Sequence, residues 1–380
     1  MSTPVLHTPI CDLLGIRYPI LMAGMGTLRG RVTPPRLVAA VSNAGGLGVM
    51  GASSLAPEEI RQRIRQVRAL TDKPFGVDLL LPVSLAETGP TRLTTRRQAL
   101  AWIEREYPRH YAFVQSLWQE FNLPPLEHRE EEPLRVERVR QQVQVVLEEK
   151  VPVFAAGLGD PAWVVPLARE AGIKVIGLAG SVRNALRQVK AGVDIIVAQG
   201  YEAGGHTGRI ATFPLVPQVV DAVAPTPVLA AGGIADGRGV AAALALGAQG
   251  VWVGTAFLVA LESDLYPPMQ DAILQSSSED FIISRAYSGK TARLLKNPLT
   301  EAWERSGLEP LPMPLQGLLM ADLLEAAERA GRYDLLFNAA GQIGGMLKER
   351  KPAAQIVEDM VRGAVEVLET FPRRITYRNA

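Results

Sequence analysis

Eight short apolar runs punctuate the chain, each followed by glycine-rich punctuation and most then by a stretch of helical period. The runs are "PILMAG" (19–24), "GLGVMG" (46–51), "FGVDLLL" (75–81), "VPVFAAG" (151–157), "IKVIGLAG" (173–180), "VDIIVAQG" (193–200), "TPVLAAGG" (226–233) and "QGVWVGT" (249–255). Their apolarity is continuous rather than alternating, which suits strands covered on both faces, as in a parallel sheet wrapped by helices. Between them, 33–45, 57–70, 160–172, 181–192 and 237–248 have helical periodicity, and several end at glycine, the residue that takes a left-handed C-cap at no steric cost. Eight strands alternating with helices predict an α/β fold, a (β/α)8 TIM barrel. Strand count does not prove closure, so a doubly wound open sheet remains the alternative.

Two segments break the rhythm and set the domain organisation. Residues 1–81 and 133–260 form the barrel, which helix 353–371 closes. Residues 82–132 are a polar helical insertion, and 261–350 are a small, mainly helical region on the substrate side. Within the insertion, "RRQALAWIEREYPRHYAFVQSLWQEFNLPP" reads as one amphipathic helix ended by a proline pair. Its Trp102, Tyr107, Tyr111 and Trp118 fit packing of that helix onto the barrel, with a lid or an oligomer contact as the alternatives. The following "EEPLRVERVRQQVQVVLEEK" is long enough to be the outer helix between the third and fourth strands.

Composition narrows the class. The chain has 380 residues, 47% hydrophobic, and a formal net charge of +1, so a large core is available and nothing electrostatic points to nucleic acid or an anionic membrane. The single Cys11 excludes an intramolecular disulfide and a cysteine-rich zinc site, and it fits a reducing compartment. The N-terminus lacks the pattern of a signal peptide, and no run reaches the roughly 18 apolar residues of a membrane span. A cytoplasmic protein is expected. No metal is expected, since no H-x-x-x-H, C-x-x-C or clustered carboxylate spacing occurs. "GMGTLRG" (24–30) is a lone glycine pattern and a weak dinucleotide signal.

Barrels of this kind place their chemistry at the C-terminal ends of the strands. There the chain has "AGMGT" after the first run, Asp78 in the third, "QGYEAGGHTG" after the sixth, "AGGIADG" after the seventh and "VGTAF" after the eighth. The last two turns, with Gly232, Gly233, Gly254 and Thr255, can aim backbone N–H groups at a phosphate, the usual task of these two loops; tight turns alone are the plainer explanation. His206 is the only one of four histidines at a strand's C-terminal end, whereas His7 is in the N-terminal tail and His110 and His128 are in the insertion. Its ordinary pKa of about 6.5 suits proton transfer at neutral pH. Glu202 is an acid, a loop anchor or a solvated charge, and loop anchor is favoured.

Taken together, "PILMAGMG", "SNAGGLGVMG", "PFGVDLLLP", "QGYEAGGHTG", "VLAAGGIADGRGVAAALALGAQGVWVGTAF", "YSGKTAR" and "AGQIGGMLKERKPA" resemble the nitronate monooxygenase (2-nitropropane dioxygenase-like) family of FMN-dependent barrels. A relative in that family is the flavin-dependent enoyl-acyl-carrier-protein reductase. The resemblance implies bound FMN, with Ala23, Gly24 and Met25 along the flavin ring and Gln199 and Gly204 also touching it. Gly232, Gly233, Gly254 and Thr255 would take the phosphate. It implies His206 near the flavin N5 as the catalytic residue and Ser288 as a polar contact to substrate. It further implies oxidation of alkyl nitronates, and of nitroalkanes if His206 removes their α-proton, by dioxygen to a carbonyl compound and nitrite. NAD(P)H-dependent reduction of an enoyl thioester or a quinone is the alternative. Substrate identity, use of NAD(P)H and any homo-oligomer stay open. The family often has Asn where this chain has Asp78, and an anion there would alter hydrogen bonding and disfavour a reduced, anionic flavin.

Overall fold

The computed structural model describes residues 6–26, 28, 31–81, 96–126 and 136–375. Strands β1 (Ile20–Met22), β2 (Gly48–Gly51), β3 (Phe75–Leu81), β4 (Val153–Gly159), β5 (Lys174–Ala179), β6 (Ile195–Gln199), β8 (Val228–Ala231) and β9 (Gly250–Val253) form one parallel sheet in the order β2-β3-β4-β5-β6-β8-β9-β1. Its edges meet through a bridge between Leu21 and Leu47, where the Met22 N–H donates to Leu47 O at 2.9 Å and the Leu47 N–H donates to Ile20 O at 3.0 Å. Sequential order with meeting edges makes this a nearly closed TIM barrel rather than an open doubly wound sheet.

Strand parity sorts the core. Ile20, Met22, Met50, Val77, Leu79, Phe154, Ala156, Ile196, Ala198, Val251 and Val253 face the outer helices. Their neighbours Leu21, Val49, Val153, Ala155, Ile176, Ile195, Val197, Leu229 and Trp252 fill the barrel interior. One mouth is plugged by Ile10, Cys11 and Leu14 of helix Pro9–Leu14, and Thr8 Oγ1 beside it donates to Gln249 O at 2.5 Å, at the start of β9. The outer helices follow the sequence pattern. Pro57–Leu70 begins with proline and two glutamates and buries Ile60, Ile64 and Val67, spaced four and three residues apart. Helix Thr212–Val223 escapes the periodicity reading because Pro214 and Pro217 fall inside it. A proline in the first turn removes no helical hydrogen bond, but Pro217 does.

The 96–120 segment is two helices, Arg96–Glu106 and Pro108–Glu120, not the single one expected. Tyr107 precedes a proline and adopts a non-helical conformation, which breaks the run. These helices pack against helix Leu315–Arg329 of the C-terminal region rather than onto the barrel wall. Ile103, Val114 and Leu117 join Leu319 and Leu323 in one apolar cluster, with Trp102, Tyr107, Tyr111 and Trp118 on its margin. Residues 82–95 and 127–132 of the insertion, His128 among them, lie outside the described residues. Helix Val136–Glu148 packs on β3. Helix Ala353–Arg374 packs against helices Gly237–Ala245 and Pro35–Asn43, completing the helical ring.

The region after β9 also contains strands. β10 (Phe281–Ser284) pairs antiparallel with β11 (Ala292–Leu295), and β11 pairs with a two-residue strand, β7 (Gly205–His206), in the loop after β6. This small sheet ties the C-terminal region to the barrel rim, with Ala292 opposite His206.

Candidate active site

The inward positions that continue past the apolar plug lead directly into a cavity. Ala23 follows β1, Asp78 and Leu80 lie on β3, Gly157 on β4, Leu178 on β5, Gln199 ends β6, and Gly254 follows β9; all of them line it. Of the residues singled out from the sequence, Ala23, Gly24, Met25, Asp78, Gln199, Gly204, His206, Gly232, Gly233, Gly254 and Thr255 line this one cavity, and Ser288 does not.

His206 is held from three sides. Gln199 Nε2 donates to the His206 carbonyl at 2.6 Å. β11 pairs with its backbone. Its Nε2 lies 3.0 Å from Ser288 Oγ. That hydroxyl also lies 3.2 Å from the Lys290 carbonyl, to which it can donate, and accepts from the Lys290 N–H at 3.3 Å. Ser288 thus meets the imidazole behind the cavity wall and is not itself among the lining residues. Arg293, 2% exposed, anchors the preceding turn: its Nε and Nη2 donate to Tyr201 O at 3.2 and 3.1 Å, and its guanidinium stacks 4.6 Å above the Tyr201 ring.

Electrostatics revise the expected state of His206. Burial, with the Lys290 charge adding to it, pushes the imidazole pKa down to about 4. His206 is thus a neutral hydrogen-bonding group and a weak base at neutral pH, not a group titrating near 6.5. The Lys290 ammonium is itself pushed down by desolvation, and no acidic side chain pairs with it among the described residues.

Gly232 and Gly233 turn the chain after β8 with φ of +92° and +75°, a conformation that costs L side chains strain. The following helix, Gly237–Ala245, is capped by the Asp236 carboxylate, which accepts from the Arg238 N–H at 2.9 Å. Its N-terminus is therefore already engaged, so a phosphate here would rely on the amides of the Gly232–Gly233 and Gly254–Thr255 turns. Thr255 Oγ1 accepts from the Gly341 N–H at 2.9 Å, bringing the 339–341 segment over this rim.

Two carboxyls line the cavity in contrasting settings. Glu202 accepts from the Thr212 N–H and Oγ1, both at 2.9 Å, which makes it an anchor fastening the glycine loop to the next helix. Asp78 is 6% exposed, and burial pushes its pKa up to about 8 against the weaker opposing pull of the Gly157 N–H. It is therefore an uncharged acid at neutral pH. Asp78 keeps its proton for the most part because no cation among the described cavity-lining residues offsets its desolvation.

Sequence reasoning passed over Ser53, Leu80, Gly157, Leu178, Phe337, Ala339, Gly341 and Ile343, which also line the cavity. Counting alternate positions along β3, β4 and β5 finds Leu80, Gly157 and Leu178. Phe337–Ile343 come from the C-terminal region, where no barrel rule applies. The glycine-walled slot with apolar sides (Met25, Leu178, Trp252) suits a flat ring system, and the amide-bearing turns at its rim suit a phosphate. No group of three or more His, Cys, Asp or Glu arranged to hold a metal occurs among the described residues.

Comparison with known proteins places the chain in a family. Residues 7–363 match the nitronate monooxygenase family. A Staphylococcus aureus protein named "Probable nitronate monooxygenase" is 34% identical, covering 95% of this chain and 98% of its own. The Mycobacterium tuberculosis relative Rv1533 is 37% identical, with 96% and 98% covered. Among solved structures, nitroalkane oxidase from Streptomyces ansochromogenes superposes with a TM-score of 0.79 at 30% identity, covering 95% of this chain and 99% of that one. FabK from Thermotoga maritima gives 0.75 at 33% identity, with 97% and 100% covered. Such enzymes are generally flavin-dependent. The chain is an oxidoreductase and belongs to the nitronate monooxygenase family.

Proposed function

We propose that the protein binds FMN in the glycine-walled cavity and oxidises alkyl nitronates with dioxygen to a carbonyl compound and nitrite. Ala23, Gly24, Met25, Asp78, Gln199 and Gly204 would border the ring, and the turns at Gly232–Gly233 and Gly254–Thr255 would hold the phosphate. Bound FMN would supply the electron transfer and the route to dioxygen.

The observation that carries this reading is the state of His206, whose imidazole is kept neutral by burial beside the Lys290 ammonium. So weak a base is poorly matched to removing an α-proton from a neutral nitroalkane, whereas a nitronate arrives already deprotonated. A neutral imidazole can give its N–H to a nitronate oxygen, and the uncompensated positive charge of Lys290 favours an anionic substrate on this side of the cavity. Ser288 holds the imidazole and Gln199 the His206 main chain, so little reorganisation is needed when substrate binds. The apolar sides (Met25, Leu178, Trp252) would keep water away from the reacting carbon.

Oxygen uptake and nitrite release test this directly. Both should proceed with a preformed nitronate, without NAD(P)H, and more slowly with the neutral nitroalkane at the same pH. The likeness to FabK keeps a second reading in view, NAD(P)H-dependent reduction of an enoyl thioester or a quinone. Oxygen uptake dependent on NADPH and indifferent to nitronate would favour it.

A further inference from the structure

Asp78 occupies an unusual place for a carboxyl. It points inward from β3 into the cavity and is 6% exposed. A Cβ on Gly24 would lie 2.3 Å from Asp78 Cβ, and one on Gly157 would lie 2.7 Å from Asp78 Oδ1. Glycine at both flanking positions is what lets the carboxyl sit there.

The surroundings offer no countercharge. β2 places Gly51 opposite Asp78, β4 places Ala155 opposite it with Gly157 two residues on, and the loop after β1 contributes Gly24 and Met25. The other titratable groups lining the cavity are Glu202, engaged by Thr212, and His206, which is neutral. No lysine or arginine lines the cavity among the described residues. A carboxylate so enclosed, with one backbone N–H beside it, is better accommodated by keeping its proton.

We infer that Asp78 works as an uncharged carboxylic acid, its O–H donating to an acceptor atom of the bound flavin, and that its ionisation weakens the cofactor's hold. A protonated carboxyl has the planar shape of a carboxamide, with one acceptor oxygen and one donor, so Asp78 serves where the family often has Asn without adding charge to the cavity. Burial pushes its pKa up to about 8, which sets where the switch operates.

The inference rests on the flavin reading, and two measurements keep them separable. The first is the FMN dissociation constant of wild type and Asp78→Asn by flavin fluorescence quenching, from about pH 6 to about pH 9.5. Wild-type affinity should fall by up to about tenfold per pH unit above about pH 8, beyond any change in Asp78→Asn; parallel curves would overturn the inference. The second is the infrared spectrum at neutral pH. A carboxylic-acid C=O band present in wild type and missing from Asp78→Asn is expected, and no such difference would overturn the inference whether or not flavin binds. Failure of both proteins to bind FMN at every pH would overturn the flavin reading and the proposed donor role with it.

Discussion

Gln199 Nε2 donates a 2.6 Å hydrogen bond to the main-chain carbonyl of His206, joining the last inward residue of a barrel strand to the imidazole-bearing turn. Replacing the amide with a thioether of similar length, Gln199→Met, removes that bond and leaves the strand's packing intact. A lost hydrogen bond of this kind is worth about 1 kcal/mol. The expected outcome, measured at saturating FMN, is a fall of about fivefold in kcat/KM for a nitronate, with melting temperature nearly unchanged.

Burial lowers the basicity of His206, and the Lys290 charge adds to it. Lys290→Met should therefore move the His206 pKa up from about 4 toward its ordinary range and raise KM for an anionic substrate by about tenfold. In wild type, kcat/KM should show no inflection near pH 6.5, since the folded-state imidazole stays neutral until the pH falls toward about 4. His206→Asn, losing a hydrogen-bond donor aimed at the nitronate oxygen, should cost about a hundredfold in nitronate turnover and leave FMN bound. A pH–rate series on the three proteins checks all of this.

Asp78 also links stability to pH. Its folded pKa, about 8, is above the unfolded carboxylate range, so the folded state holds a proton that the unfolded state releases. Its favourable contribution is fully present below about pH 4 and is lost as pH rises to about 8, at roughly 1.4 kcal/mol per pH unit. Asp78→Asn removes that dependence. The variant apoprotein should gain a few kcal/mol over wild type between pH 4 and pH 8, seen as a melting-temperature difference that opens across that range and is level beyond it.

Glu202 lines the cavity but fastens the loop to Thr212. Glu202→Ala strands the Thr212 N–H and should destabilise the apoprotein by about 1–3 kcal/mol and weaken FMN binding. Glu202→Gln keeps an acceptor oxygen and should lose much less. Equal loss of turnover in both variants, with FMN binding intact, would instead make Glu202 an acid–base group.

Much of this was legible in the sequence because a parallel barrel writes itself as continuous apolar runs, and the loops that line the cavity from the barrel follow those runs. The His206 turn, the Gly232–Gly233 turn and the Glu202 anchor were readable from residue type and position. What was not readable depended on contacts distant in sequence. Ser288 meets His206 only because β11 folds back onto β7. The 337–343 segment reaches the rim through Gly341 and Thr255. The charge states of Asp78 and His206 follow from burial, with Lys290 adding to it at His206, and no spacing rule reveals either. The insertion helices found their partner in helix Leu315–Arg329, because an amphipathic face says that it is covered, not by what.

In the proposed function the cavity holds a flavin reduced by nitronate rather than by a nicotinamide. Anaerobic mixing of the FMN-loaded protein with a nitronate, and separately with NADH and NADPH, followed by visible absorbance, tests it most directly. Bleaching of the flavin band by nitronate and its persistence with both nicotinamides is the predicted result. Rapid bleaching by NADH or NADPH with no response to nitronate, or a protein that takes up no FMN, would contradict it.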